Sequence, residues 1–205
     1  RKARAMGIDS RFKVCEAISL SYGTRLFPDE ARVELSLRVK KLFLAAYPKE
    51  NTEECLAACV QLYPGLVAGR DIWETTLENG NPEVHPGPCL LSAGHIEYSG
   101  GEFWLYREGI TEHTVNVLHA IERERMAIGR AFGFELEDAV ESRYRRGYFD
   151  NDKEDLQHLF NTSEVFTKIK GPTSITSRYF TEDISDGLVL WSDLGRVCVV
   201  PTPNI

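Results

Sequence analysis

Along the first sixty-five residues, apolar positions partly alternate with polar ones. Beyond that point they recur every three or four residues. "FKVCEAISL" (12–20) and "RVELSLRVKKLFLAAYP" (32–48) are rich in β-branched and aliphatic residues, and their partial alternation predicts strands. "NTEECLAACVQLYPG" (51–65) predicts a helix. Asn51 or Thr52 caps its start, Glu53 and Glu54 occupy the first turn, and Pro64-Gly65 stops it. A strand, strand, helix run of this kind closes an α/β sheet.

The second segment reads as a succession of helices. "GRDIWETTLENGN" (69–81) is a short one ending in Gly/Asn turn chemistry, and "HPGPCLLSAGHIEYSGG" (85–101) follows with Pro86 and Pro88 near its first turn. The clearest pattern is "TEHTVNVLHAIERERMAIGRAFG" (111–133). Here Val115, Leu118, Ile121, Ile128 and Phe132 form one apolar stripe and Gly133 supplies a left-handed stop. "LEDAVESRYRRGYF" (136–149) and "KEDLQHLFNTSEVFTKI" (153–169) fit two more helices, and 173–205 fits a helix pair broken at Gly187 and Gly195. The fold class is therefore mostly α, with a division near residue 65 into an α/β part (1–65) and a helical part (66–205).

Composition narrows the classes of function. The chain has 205 residues, 42% of them hydrophobic and 27% charged, enough for a buried core. A net charge of -7 argues against a nucleic-acid partner, which needs a basic surface to displace counterions. No membrane span is expected, because the longest apolar runs, such as "LFLAAY" (42–47), fall far short of the roughly 20 residues required. The opening "RKARAMGIDSR" carries no apolar signal core. "IERERMAIGR" and "ESRYRRGYF" read as solvated helix faces. Of the cysteines Cys15, Cys55, Cys59, Cys89 and Cys198, only Cys55 and Cys59 share a helical face, and no further ligands at zinc spacing accompany them. Reduced thiols, no bound metal and a cytoplasmic location follow as expectations. The sixteen glycines contain no G-x-G, so the dinucleotide fingerprint is missing, and both ends of the chain look cut.

Two places carry candidate chemistry. His85 lies between Val84 and Pro86 in "NGNPEVHPGP", where Pro86 is expected to hold it at extended backbone angles. It is either a helix-entry histidine with a local hydrogen bond or a general acid–base whose pKa suits neutral pH. "SRYFTEDISDGL" contributes Arg178, Tyr179, Glu182 and Asp183. The modest reading is an Arg178–Glu182 pair one helical turn apart. The functional one sets a carboxylate on the imidazole and an arginine on a substrate carboxylate. Residues about a hundred positions apart cannot be shown to meet by spacing alone. His95, His113, His119 and His158 read as structural or exposed.

"NGNPEVHPGPCLLSAGHIEYSGGEFWLYREGIT", "IERERMAIGRAFG" and "GPTSITSRYFTEDISDGLVLWSDLGRVCVVPTP" together resemble the opine dehydrogenase family. This is the octopine/nopaline dehydrogenase group, which includes N-(1-carboxyethyl)norvaline dehydrogenase. The order N-x-N-x-x-x-H-P, an E-R-x-A-I type helix, R-Y-x-x-E-D-x-x-x-G-L and V-P-T-P is kept over about 66–205, the stretch resembling the family's helical C-terminal domain. "CEAISLSYGTRL" resembles the end of the family's Rossmann domain, making 1–65 a C-terminal remnant of it.

The resemblance implies an NAD- or NADP-dependent oxidoreductase that joins an amino acid to a 2-oxo acid through an imine. It implies His85 and Asp183 as catalytic residues and Arg178 with Asn81 on the substrate side. His85 would donate a proton to the 2-oxo acid carbonyl while Asp183 supports the imidazolium. An imidazole nitrogen is then expected about 2.6–3.2 Å from an Asp183 oxygen. On a regular helix Arg178 and Asp183 would stand about 140° apart and flank a cleft. The departure is the missing glycine-rich loop, which implies that the isolated chain is inactive and is part of a longer protein rather than a degenerate homologue. The assembly would be a monomer or homodimer. Two alternatives stay open: a two-domain dehydrogenase reducing a simple 2-oxo or hydroxy acid, and a non-catalytic helical module that binds amino acids or a partner protein.

Overall fold

A computed structural model describes residues 2–7 and 12–205. The chain divides into two compact units, 1–79 and 80–205. After a single helical turn, α1 (Lys2–Ala5), the first unit is built around β4 (Leu42–Tyr47). β1 (Val14–Ala17) pairs antiparallel to one edge of β4 and β5 (Leu66–Ala68) parallel to the other, giving the order β1-β4-β5. Leu42, Leu44, Ala45 and Ala46 are all buried, as befits a central strand covered by α2 (Thr52–Cys59) and α3 (Ile72–Leu77). β2 (Tyr22–Phe27) and β3 (Arg32–Arg38) form a separate antiparallel hairpin that leaves Leu26, Val33 and Leu35 exposed.

The strand expected over 32–48 is thus two strands in different sheets. Residues 39–41 cross between them, where the Val39 amide still bonds the Ser21 carbonyl (3.0 Å) and the Leu42 amide already bonds that of Gly65 (2.9 Å). A side chain at Gly65 would meet the Val39 and Lys40 carbonyl oxygens at 2.9 Å, so the crossing requires glycine there. By compactness the first unit runs on to Asn79, because β5 completes the sheet and α3 packs back on β4.

The second unit contains no strand among its residues. Its helices are α4 (Asn81–Val84), α5 (Pro86–Leu91), α6 (Ala93–Ser99), α7 (Glu112–Ala131), α8 (Ala139–Arg146), α9 (Leu156–Thr162), α10 (Arg178–Thr181) and α11 (Val189–Val197). Two π-helical turns, Leu105–Gly109 and Asp183–Leu188, interrupt them. α7 is the spine. The Thr111 hydroxyl caps it, Leu118, Ile121 and Ile128 are buried along its stripe, and Gly133 (φ +80) turns the chain back as expected. The core beside it is aromatic, with Phe103, Tyr106, Phe149, Phe160 and Phe166 in one cluster. Among the described residues no helix is long and apolar enough to cross a membrane.

The helix expected over 153–169 stops at Thr162, where Ser163 leaves the helical region (ψ 124) and its hydroxyl donates to the Tyr148 carbonyl at 2.7 Å. Gly187 and Gly195 are not breaks. The first lies in the π-turn leading into α11 and the second within α11. Both are close approaches instead: a Cβ would fall 2.4 Å from Pro82 Cγ at Gly187 and 2.7 Å from Thr202 Cγ2 at Gly195.

Candidate functional site

The site is assembled at the junction of α4 and α5. Pro82 and Pro86 each stand within the first two positions of a short helix, where a missing amide proton costs nothing. His85 joins the two at φ -90, ψ -54, a right-handed helical conformation and not the extended one expected before proline. The reason lies in its backbone bonds. Its amide donates to the Asn81 carbonyl (3.0 Å) and its carbonyl accepts from Cys89 (3.1 Å), so helical hydrogen bonding on both sides outweighs the steric preference imposed by Pro86.

The His85 ring is buried, and both its nitrogens are engaged. Nδ1 lies 2.7 Å from Asp183 Oδ2 and Nε2 lies 2.8 Å from Tyr106 Oη. The Tyr179 ring meets it edge-on, 4.4 Å between centroids. Asp183, also buried, opens the π-turn that Gly187 seats against Pro82, so a glycine contact sets the distance between α4 and the carboxylate. A carboxylate only accepts, which places the ring proton on Nδ1. The Tyr106 hydroxyl then donates to Nε2 of the neutral ring.

The sequence-derived residues fall out unequally. His85 and Asp183 come together within hydrogen-bond reach. Asn81 is half-buried one turn before His85, on the same helical face. Arg178 is half-exposed and lies 3.5 Å from Glu182, the pairing expected of a simple helix turn, with its guanidinium over the Tyr179 ring at 5.5 Å. It does not share one regular helix with Asp183, because α10 ends at Thr181 and gives way to the π-turn. His95, His113 and His158 are exposed, and His119 pairs with Glu122 at 3.1 Å.

Sequence reasoning missed two parts of this site. Tyr106 sits on a π-turn that leaves no spacing signature. Arg125 and Arg143 belong to runs read as solvated faces, yet both are buried with Glu83, at 3.1 and 3.5 Å from its carboxylate oxygens. Arg125 also donates to the Glu137 carbonyl (2.8 Å) and Arg143 to that of Ala139 (2.9 Å). Glu83, two residues before His85, thereby ties α4 to α7 and α8. A buried carboxylate needs such partners, and long helices reach inward to supply them.

Burial holds His85 below its ordinary value of 6.5. The hydrogen bond and charge of Asp183 oppose this, while the charges of Arg178 and Arg143 add to it. Cys89, shielded beside the site and facing the Asp183 charge, is pushed up to about 12 and stays a thiol. Cys15, desolvated and next to Cys59 and Cys55, rises to about 11. With the folded imidazole depressed, the unfolded chain binds the extra proton below about pH 6.5. The stabilisation is therefore whole above that pH and is lost as pH falls toward the depressed folded value. Urea melts of the chain between pH 7 and 5 should carry a His85 contribution of up to ~1.4 kcal/mol per pH unit, absent from His85→Gln. Equal slopes in the two proteins would contradict this assignment.

Among the described residues, the two strand-to-helix connections do not fit the pyrophosphate of a nicotinamide dinucleotide. The β4–α2 connection has no glycine, and the β5–α3 connection has only Gly69. The amides at the start of α3 are already taken by carboxylates: Trp73 and Glu74 donate to Asp71 (2.8 and 3.2 Å), and Arg70 donates to Glu74 (2.6 Å). An acidic helix start repels the anion that a glycine-rich one would hold.

An all-helical unit enclosing a histidine–carboxylate pair thus follows a small α/β unit in the chain. The comparison with known proteins makes this specific. The profile of the NAD/NADP octopine/nopaline dehydrogenase alpha-helical domain matches residues 68–205, and the chain belongs to that NAD(P)-linked family. It is 34% identical over 161 residues to an opine dehydrogenase of Arthrobacter sp. (strain 1C), covering 78% of this chain and 44% of that protein. It is 26% identical to protein ocs of Agrobacterium tumefaciens (strain Ach5), covering 94% and 52%. In fold it is similar to octopine dehydrogenase solved with NADH and L-arginine (TM-score 0.69, 20% identity, 94% of this chain and 53% of that one). It is likewise similar to yersinopine dehydrogenase with NADP+ bound (TM-score 0.71, 14% identity, 98% and 57%). The chain spans about half the length of the relatives it matches.

Proposed function

We propose that the helical unit is the substrate and proton-transfer part of an opine dehydrogenase, which condenses an amino acid with a 2-oxo acid and reduces the resulting imine. The observation that carries this reading is the buried His85–Asp183 contact of 2.7 Å. At neutral pH the ring is uncharged, so it begins as a base. It takes a proton from the substrate ammonium at Nε2, where the Tyr106 hydroxyl gives way to the substrate, and Asp183 supports the imidazolium. The freed amine adds to the carbonyl carbon, forming a carbinolamine. His85 then returns the proton to the carbinolamine oxygen, the C–O bond breaks, water leaves and the iminium forms. The hydride that reduces it would be supplied by a nicotinamide dinucleotide held outside the described residues. Arg178, whose partner Glu182 is 3.5 Å away and solvent-exposed, exchanges that loose pair for a substrate carboxylate, and Asn81 is the second substrate-side residue. The first unit, including the 1–65 stretch, is the end of the nucleotide-binding domain.

In the full-length protein, oxidation of NADH or NADPH should require both an amino acid and a 2-oxo acid. His85→Ala should depress it on the order of 10²–10⁴-fold. The 205 residues alone should not oxidise either nucleotide. Oxidation that proceeds equally well without an amino acid would favour reduction of a simple 2-oxo acid. Oxidation that His85→Ala leaves intact would remove the histidine from the chemistry.

A further inference from the structure

We propose that Cys15 and Cys59 are a reversible oxidation site of the first unit, two thiols placed to close into a disulfide that staples β1 to α2. The pair would act whether or not the helical unit performs the proposed condensation.

Spacing along the chain joins only Cys55 to Cys59, but the fold brings Cys15 to both. Cys15 lies on β1, an outer strand of the three-stranded sheet, and the other two lie on α2, which packs against that sheet. The Cys15 thiol is within hydrogen-bond reach of the Cys59 and Cys55 thiols. All three border an open cavity of about 600 Å³, with Phe12, Lys13 and Glu54. Cys15 and Cys59 also border a second one of about 450 Å³, beside Leu44, Tyr63 and Leu66. All five cysteines of the chain are free thiols.

Geometry selects the pair. Residues one turn apart on a helix keep their Cβ atoms about 5–6 Å apart, whereas a disulfide needs about 3.5–4.5 Å. Cys55 and Cys59 therefore cannot bridge without unwinding α2. Cys55 is buried within α2 and is the least accessible of the three. Cys59 is half-buried and is the last residue of α2, where a helix end can adjust. Cys15, also half-buried, comes from a strand and is bound by no helical spacing.

The oxidant suited to such a pair is a low-molecular-weight disulfide, RSSR. Cys59, as thiolate, attacks one of its sulfurs; the S–S bond breaks, and RS⁻ leaves and takes up the proton that Cys59 gave. Cys15 is pushed up to about 11, by burial first and then by Cys59 and Cys55, so it stays a thiol at neutral pH and does not attack first. Once Cys59 is a mixed disulfide it carries no charge, and one of the causes opposing the Cys15 thiolate is gone. Cys15 then gives up its proton and attacks the Cys59 sulfur, and the second RS⁻ leaves with that proton. Two protein thiols are oxidised to one disulfide, and RSSR is reduced to two RSH. An excess of thiol reverses both steps.

The test uses the full-length protein, reduced and then incubated with oxidised glutathione, with its cysteines mapped by tandem mass spectrometry. Wild type and Cys55→Ser should both acquire a Cys15–Cys59 cross-link that dithiothreitol removes. Cys15→Ser should stop at the mixed disulfide, with glutathione retained on Cys59. Cys59→Ser should leave Cys15 a thiol. Wild-type protein whose Cys15 and Cys59 stay reduced until urea is added would overturn the proposal. So would glutathione retained on Cys59 while Cys15 is present, or a cross-link from Cys15 to Cys55 in place of Cys59.

Discussion

Asp183→Asn should lower turnover of the full-length protein on the order of 10⁴-fold while leaving substrate binding nearly intact. The carboxylate Oδ2 at 2.7 Å does two things for His85. It fixes the proton on Nδ1, and its charge offsets the burial that drives the ring toward neutrality. Asparagine fills the same volume but can offer an N–H, which would hold the ring in the other tautomer and leave the imidazolium unsupported in a buried site. The effect should appear in kcat and not in KM, because the imidazolium exists only after substrate has bound. A loss smaller than tenfold would mean that Asp183 is not the orienting group.

The second large effect concerns stability. Glu83 is 1% exposed and faces Arg125 and Arg143, themselves 3% and 6% exposed. Glu83→Gln removes the charge that Arg125 and Arg143 both face, while the two guanidinium groups stay buried against backbone carbonyls. Breaking a buried pair from one side costs about 3–5 kcal/mol, a large part of a domain's total stability. Arg196, exposed beside Asp193 at 2.8 Å, makes the comparison: Arg196→Ala should stay within ~0.5 kcal/mol. Urea denaturation of the three proteins measures both. A loss under about 1 kcal/mol in Glu83→Gln would show that the ion pairs do not hold α4 in place.

Much of the second unit was legible because its helices obey local rules. The α7 stripe, its Thr111 cap and its Gly133 stop are set by residues a few positions apart. What failed was governed by distant neighbours. β5 is three residues long, too short to display alternation, and exists because β4 offers an edge. Gly187 and Gly195 resemble stops in sequence, yet they are glycine because Pro82 and Thr202 press against them. The arginines of α7 and α8 resemble surface charge until Glu83 is found among them. The His85–Asp183 pair spans 98 positions, and no periodicity joins them. Family motifs brought those two residues together, and they said nothing of Tyr106, which lies within a stretch that carried the resemblance.

The central claim is that the helical unit serves carbon–nitrogen bond formation, and the identity of the product tests it most directly. Full-length protein would be given an ¹⁵N-labelled amino acid, a 2-oxo acid ¹³C-labelled at C2 and reduced nicotinamide dinucleotide, and the product examined by NMR and mass spectrometry. The account predicts a secondary-amine dicarboxylate with a one-bond coupling between the ¹⁵N and the ¹³C. A labelled 2-hydroxy acid, with the amino acid recovered unchanged, would contradict it.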